Sequence, residues 1–290
     1  MVVGLVKVLT PKIIIDLNDI DTDNVAFTLA IVVSNMYSVK LYYMLEIVSP
    51  EEYSFNGEKT KELGGVDPNG TSYFFPLISR PKPDTPTTED LTLTLHVYSD
   101  ENYTNEVDSV TFKVTIIMDM IEGTLNQILY DFESGREGWD VEGGANWRSY
   151  VDYEGGGGSI GVEACRFDDR HGCIKRTITI QGTTKAYLKL KFTEYLRNEA
   201  SSRTCRGWFS GLSVIVGGKP IYSLPIRRYY SGQLGDYEVR IIGWKTVIVD
   251  LSEYIGKSVE IKICAGVRGA TGDYSACIGC ALDHIVIAWD

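Results

Sequence analysis

DFESGREGW, Asp131–Trp139, and CALDHIVIAWD, Cys280–Asp290, bracket the second half of a 290-residue chain. The first couples Asp-Phe-Glu to a short turn and a tryptophan, and the second sets Asp283 inside an apolar strand. Between them lie the β-branched and aromatic runs SIGVEACRF, CIKRTITI, AYLKLKFTEYL, GLSVIVGG, YEVRIIGWKTVIVDL and SVEIKICAGV. Such runs between turn clusters are strands, and helical periodicity is nearly absent. GGGG at 155–158 is flanked by strand-like sequence and reads as a hairpin loop rather than a linker.

The first half has the same character. KIIIDL, VAFTLAIVVS, VKLYYMLEIV, SYFFPLIS, LTLTLHVYS and SVTFKVTIIM alternate with NDIDTDN, VDPNGT and RPKPDTPTTED. Short strands at this spacing over about a hundred residues predict an immunoglobulin-like sandwich, here without the Cys and Trp hallmarks of antibody domains. TFKVTIIM and AFTLAIVV are the expected pair of core strands. DLNDIDTDN lacks the glycine and the distal glutamate of an EF-hand, so it reads as a solvated loop. DMIEGTLNQ, Asp119–Gln127, is the expected boundary, with a short helical turn. The predicted fold class is all-β: an acidic immunoglobulin-like β-sandwich over 1–122, then a jelly-roll β-sandwich over 128–290.

Charge divides the chain in the same place. Up to Leu125 there are 8 basic and 19 acidic residues, which account for the whole net charge of −11, and beyond it there are 20 of each. The first half repels phosphate backbones and the second has no basic run, so no nucleic-acid partner is expected. No apolar run is long enough to span a bilayer, so no membrane insertion is expected. MVVGLVKVLTPKIIIDL alternates too much, and meets Pro11 and Lys12 too early, for a signal peptide. Either a signal was removed upstream or none exists.

All six cysteines, 165, 173, 205, 264, 277 and 280, fall in the second half. An even set in one domain reads as disulfides and an extracellular, cell-surface or virion setting. Cys277 and Cys280 have zinc-knuckle spacing, but Cys165 and Cys173 are too far apart for the partner knuckle, so disulfides are favoured over zinc. A strand-turn-strand reading pairs Cys165 with Cys173. Scarce glutamine beside abundant Ile, Val, Tyr and Glu resembles a thermophile composition, in which disulfides persist inside cells too.

Asp-Phe-Glu at 131–133, GWKTVIVDLSEYIGKSVEIKI at 243–263 and CALDHIVI at 280–287, in that order, resemble the jelly-roll domains of carbohydrate-binding modules and the related MAM adhesion domains. The resemblance covers Tyr130–Asp290. It implies a structural calcium ion where the first and last strands meet. In a jelly roll those strands are neighbours, so Glu133 and Asp283 can face a shared position, where a hard cation relieves the repulsion of two carboxylates. His284 stands where the similar domains carry a second aspartate.

Enzyme motifs are missing: GxSxG and HExxH do not occur, and GKS at 256–258 lacks the upstream glycine of a phosphate loop. The chain is read as non-catalytic. Aromatic and arginine residues concentrate in TCRGWF and IRRYYSG, and sugar rings pack their C–H faces on exposed aromatics while arginines bond the hydroxyls. Trp208, Arg228, Tyr229 and Tyr230 are the candidate ligand-binding residues, for a glycan or a surface protein. The alternative is a structural subunit of a virion or surface filament, self-assembling through the N-terminal strand MVVGLVKVL. NGT at Asn69 and NYT at Asn102 are glycosylation sequons.

Overall fold

The computed structural model describes residues 5–121, 125–148, 151, 153, 158–165, 168–224, 228–269 and 276–290. The chain divides into two compact units, Met1–Ile121 and Glu122–Asp290. The first contains β1 (Leu5–Val8), β2 (Lys12–Asp16), β3 (Asn24–Thr28), β4 (Ile31–Ser34), β5 (Leu41–Ser49), β6 (Thr60–Val66), β7 (Thr71–Phe74), β8 (Leu77–Pro81), β9 (Thr87–Tyr98) and β10 (Glu106–Asp119). One sheet has the order β2-β10-β9-β5-β6; β1-β4-β7 and β3-β8 make up the rest. Alternation buries Leu41, Tyr43, Leu45 and Ile47 of β5 against Ile31 and Val33 of β4 in one core.

Two expectations for this unit need correcting. VAFTLAIVV is not one strand, because it breaks after Thr28 into β3 and β4, where Leu29 N–H donates to Pro76 O at 3.0 Å. The strands around TFKVTIIM are β9, antiparallel, and KIIID of β2, parallel, so the predicted pairing with AFTLAIVV does not form. In NDIDTDN, a 3-10 turn over Leu17–Asp19 follows buried Asp16, whose Oδ1 accepts from Asn18 N and Ile121 N. The remaining aspartates are exposed, as a solvated loop requires. β1 pairs with β4 of its own unit from Leu5↔Ser34 to Val8↔Ile31, so this part of the supposed assembly arm is already paired; residues 1–4 lie outside the described residues, as do 122–124 of the expected helical turn and 155–157 of the glycine run.

On β9, His96 is set between carboxylates of both neighbouring strands: Nε2 lies 2.9 Å from Glu46 Oε2 and Nδ1 3.2 Å from Glu106 Oε1. Burial pulls its pKa down, but the two carboxylates outweigh burial and raise it above the ordinary value. A folded pKa above the unfolded one means that this contribution is complete below about pH 6.5 and is lost as pH rises through the folded value. The urea midpoint of the full chain is therefore expected to carry a falling component across neutral pH that His96→Gln removes. The same slope in the variant would contradict this.

The second unit is a β-sandwich of jelly-roll type. Its strands are β11 (Asn126–Tyr130), β12 (Asp140–Gly143), β13 (Ala145–Arg148), β14 (Ser159–Cys165), β15 (Asp169–Thr179), β16 (Ala186–Asn198), β17 (Arg203–Val216), β18 (Lys219–Leu224), β19 (Arg228–Leu234), β20 (Val239–Ile241), β21 (Lys245–Asp250), β22 (Ser258–Gly269) and β23 (Ala276–Trp289). One sheet runs β13-β14-β23-β16-β20, with β11 also on β23 and β21 also on β16. The other runs β12-β15-β22-β17-β18, with β19 also on β17. The first and last strands are neighbours, Tyr130 opposite Ile285. Leu188, Leu190 and Phe192 of β16, Ile278 and Ile285 of β23, and Phe209, Leu212, Ile263 and Val267 of the facing sheet share one core.

The cysteines are joined differently from the expectation. Cys165 bonds Cys277 and Cys173 bonds Cys264, each across two adjacent antiparallel strands where the pair stand directly opposite. Cys165 and Cys173 flank a crossing from one sheet to the other, β14 to β15, rather than a hairpin, so they never face each other. Cys205 and Cys280 are buried thiols outside both bridges, not a third bridge.

Candidate functional site

The candidate site lies on the outer face of the sheet containing β17. On β17, Cys205, Gly207 and Phe209 point into the core, which leaves Arg206 and Trp208 outside. Gly207 has to be glycine, since a Cβ there would lie 2.4 Å from Ile278 Cγ2. A register shift between Phe209 and Gly211 then inserts one residue, after which Leu212 and Val214 face inward and Gly211 and Ser213 outward.

Register places Tyr229 opposite Trp208, Trp208 opposite Arg268, and Arg268 opposite Asp169, one row across β19, β17, β22 and β15. Residues opposite each other in an antiparallel pair share a face. The rings of Trp208 and Tyr229 are 4.7 Å apart between centroids, and the two residues are 39% and 47% exposed. Large apolar rings kept in contact with water present a platform to a ligand with an apolar face.

Arg228 and Tyr230 flank Tyr229 on the strand and therefore take the opposite face. Tyr230 packs on the core, and burial first, then the charge of Glu194, raises its phenol pKa. Of the four sequence candidates, Trp208 and Tyr229 come together on the surface, while Arg228 and Tyr230 belong to the inner side.

One step along β17 from Trp208 a groove of about 240 Å³ opens, lined by His171, Ser210, Gly211, Ser213, Ser223 and Gly266. Its floor is bare backbone: Gly211 and Gly266 are opposite each other, and a Cβ on Gly266 would lie 2.5 Å from His171 Nδ1. Two glycines facing each other inside long strands are the signal that sequence reading passed over, since interior strand glycines mark a close approach. His171 Nε2 lies 3.3 Å from Asp169 Oδ1. Ser210 stands near the same ring, but no hydrogen bond joins its hydroxyl to the imidazole, so this trio lacks the link that would activate a nucleophile. The Cys173–Cys264 disulfide borders the groove. Beyond it Glu142 receives Lys175 at 2.5 Å and Lys262 at 2.6 Å, and these bonds hold its carboxyl down at about 2.

No protein-family model matches the chain, and no curated protein does. Carbohydrate-binding modules of β-sandwich fold are among the solved structures similar to it. The module CBM27-1 of Caldicellulosiruptor saccharolyticus, in complex with mannohexaose, is 14% identical with a TM-score of 0.33, over 57% of this chain and 98% of that one. TmCBM61, in complex with β-1,4-galactotriose, is 10% identical with a TM-score of 0.31, over 54% and 92%. The secreted serine protease VesC from Vibrio cholerae is also similar, at 10% identity and a TM-score of 0.24, over 96% and 50%. Likeness at these scores carries nothing about ligand or activity, which have to be argued from the groove itself.

The two residues expected to hold calcium are placed as follows. Asp283 is buried, and its carboxylate accepts from Tyr153 N at 3.0 Å and His284 N at 2.7 Å. Glu133, on the turn after β11, is exposed, and its N–H donates to Asp131 Oδ1 at 3.2 Å. Among the described residues, Glu163, Cys165 and Cys277 bring three donor atoms together, and two of those are the sulfurs of a disulfide. Glu163 there receives Arg197 Nε at 2.8 Å and the Tyr195 hydroxyl at 3.0 Å, so this cluster is already neutralised.

Proposed function

We propose that the second unit is a non-catalytic glycan-binding module whose ligand lies along the groove, with a sugar ring on Trp208 and Tyr229. The exposed aromatic pair in register beside a glycine-floored groove carries this reading. A pyranose offers an apolar face and a rim of hydroxyls; the rings take the first, and His171, Ser210, Ser213 and Ser223 are placed for the second. Such a module works at a surface or outside the cell, and the two disulfides are consistent with that setting. No helix among the described residues is long and apolar enough to cross a membrane.

The test is calorimetric titration of the full chain with mannohexaose, β-1,4-galactotriose and xylan fragments, beside Trp208→Ala. Removing one stacking ring is expected to weaken binding at least tenfold, roughly the effect of a 1.4 kcal/mol contact, without changing the melting midpoint. Binding that survives Trp208→Ala and Tyr229→Ala unchanged would place the ligand elsewhere.

A structural calcium ion held by Asp283 with Glu133 belongs to the same proposal, supported by the buried carboxylate at the meeting of the first and last strands. Calcium at a hundredfold excess over its dissociation constant would add about 2.7 kcal/mol to stability, and Asp283→Asn should abolish that gain. A melting midpoint indifferent to both calcium and chelator would remove the ion.

A further inference from the structure

We infer, building on the glycan reading, that the groove's ligand is an acidic glycan whose uronic-acid carboxylates are held by Arg206 and Arg268 on two sides of Trp208. Arg206 is two residues from Trp208 on β17 and shares its face, and Arg268 is its register partner on β22. Both arginines are exposed. The lysines on this face are occupied: Lys175 and Lys262 both pair with Glu142, at 2.5 and 2.6 Å. Asp169, opposite Arg268 in register, is turned to His171 instead. Among the described residues, neither Arg206 nor Arg268 makes an ion pair or a side-chain hydrogen bond, so the two uncommitted guanidinium groups of this face are the two that border its aromatic platform.

The chemistry of that arrangement is selective. A guanidinium presents parallel N–H donors that match the two oxygens of a carboxylate, and a charge-assisted pair is about twice as strong as a bond to a neutral hydroxyl. A uronic acid carries its carboxylate on the same ring whose C–H face stacks on an aromatic, so one residue of the polymer can use Trp208 and an arginine together. The chain as a whole is acidic, with a net charge of −11, so long-range attraction of a polyanion is absent and binding has to come from contact at this row.

Polygalacturonic acid and its fully methyl-esterified form present one backbone with and without charge, and dextran sulfate presents charge without the uronic acid. For the full chain, polygalacturonate is expected to bind at least tenfold tighter than the ester. The preference should disappear in Arg206→Gln/Arg268→Gln while the ester's affinity stays the same, and Trp208→Ala should weaken both polymers. Equal binding of acid and ester, or an acid preference that survives the double substitution, would overturn the inference and leave the glycan reading standing. Dextran sulfate bound as tightly as polygalacturonate, and indifferent to Trp208→Ala, would reduce the effect to charge alone and overturn it too. Failure of every neutral and acidic glycan to bind would overturn the glycan reading and the inference with it.

Discussion

Reducing the two disulfides is expected to lower the melting midpoint of the second unit by roughly 10 °C for each bridge and to leave the first unit unchanged. Cys165–Cys277 and Cys173–Cys264 close loops of 112 and 91 residues in sequence separation. Cross-links over such loops restrict the unfolded chain by about 3–5 kcal/mol each on the chain-entropy account, and 1 kcal/mol moves the midpoint of a unit this size by about 2–4 °C. Cys173–Cys264 has neither sulfur-bearing residue fully buried and should be reduced first, whereas Cys277 is buried in the other bridge. Alkylation of the unfolded, unreduced chain should label two thiols, Cys205 and Cys280, and all six after reduction. Labelling of none, or of six, before reduction would contradict the connectivity.

Lys245→Met is expected to destabilise the second unit by about 3–5 kcal/mol, because it strips the counter-charge from a buried carboxylate. Glu194 is 1% exposed on β16, its Oε2 accepts from Lys245 Nζ, and its Oε1 has no hydrogen-bond partner among the described residues. The carboxylate left behind would be paired with neither charge nor water. Adding Glu194→Gln to Lys245→Met removes the buried charge and should recover most of the loss, since a buried pair replaced as a pair is often neutral. A double variant as unstable as the single one would mean that the lysine acts through a contact other than its pair with Glu194, such as that of its Nζ, 5.3 Å from the Phe192 ring centroid.

The strands were legible because β-branched and aromatic runs between turn clusters leave little other choice, and the meeting of the opening and closing strands followed from jelly-roll order. What the sequence carried less openly was register. The alternation rule already says that Tyr229 and Tyr230 face opposite sides; only the pairing of β19 with β17 shows that Tyr229 is the outer one. The shift after Phe209 changes which β17 residues face water, and its one mark in FSGLSV is the strand-interior Gly211, which does not say which way the register moves. Asp169, His171, Arg206 and Arg268 were passed over for that reason, since they join the site through strand pairing. The cysteine error had the same origin. Reading Cys165 and Cys173 as a hairpin assumes that consecutive strands stay in one sheet, and in this sandwich β14 and β15 do not.

The claim that the outer face of β17 and its neighbours holds a glycan is tested most directly by nuclear magnetic resonance titration of the full chain with polygalacturonate and mannan fragments. The account predicts that the Trp208 indole signal and the amides of His171, Gly211 and Gly266 shift together with saturation, while those of β2 and β9 in the first unit stay fixed. Shifts confined to the first unit or to the outer face of the β16–β23 sheet, with Trp208 silent, would contradict it.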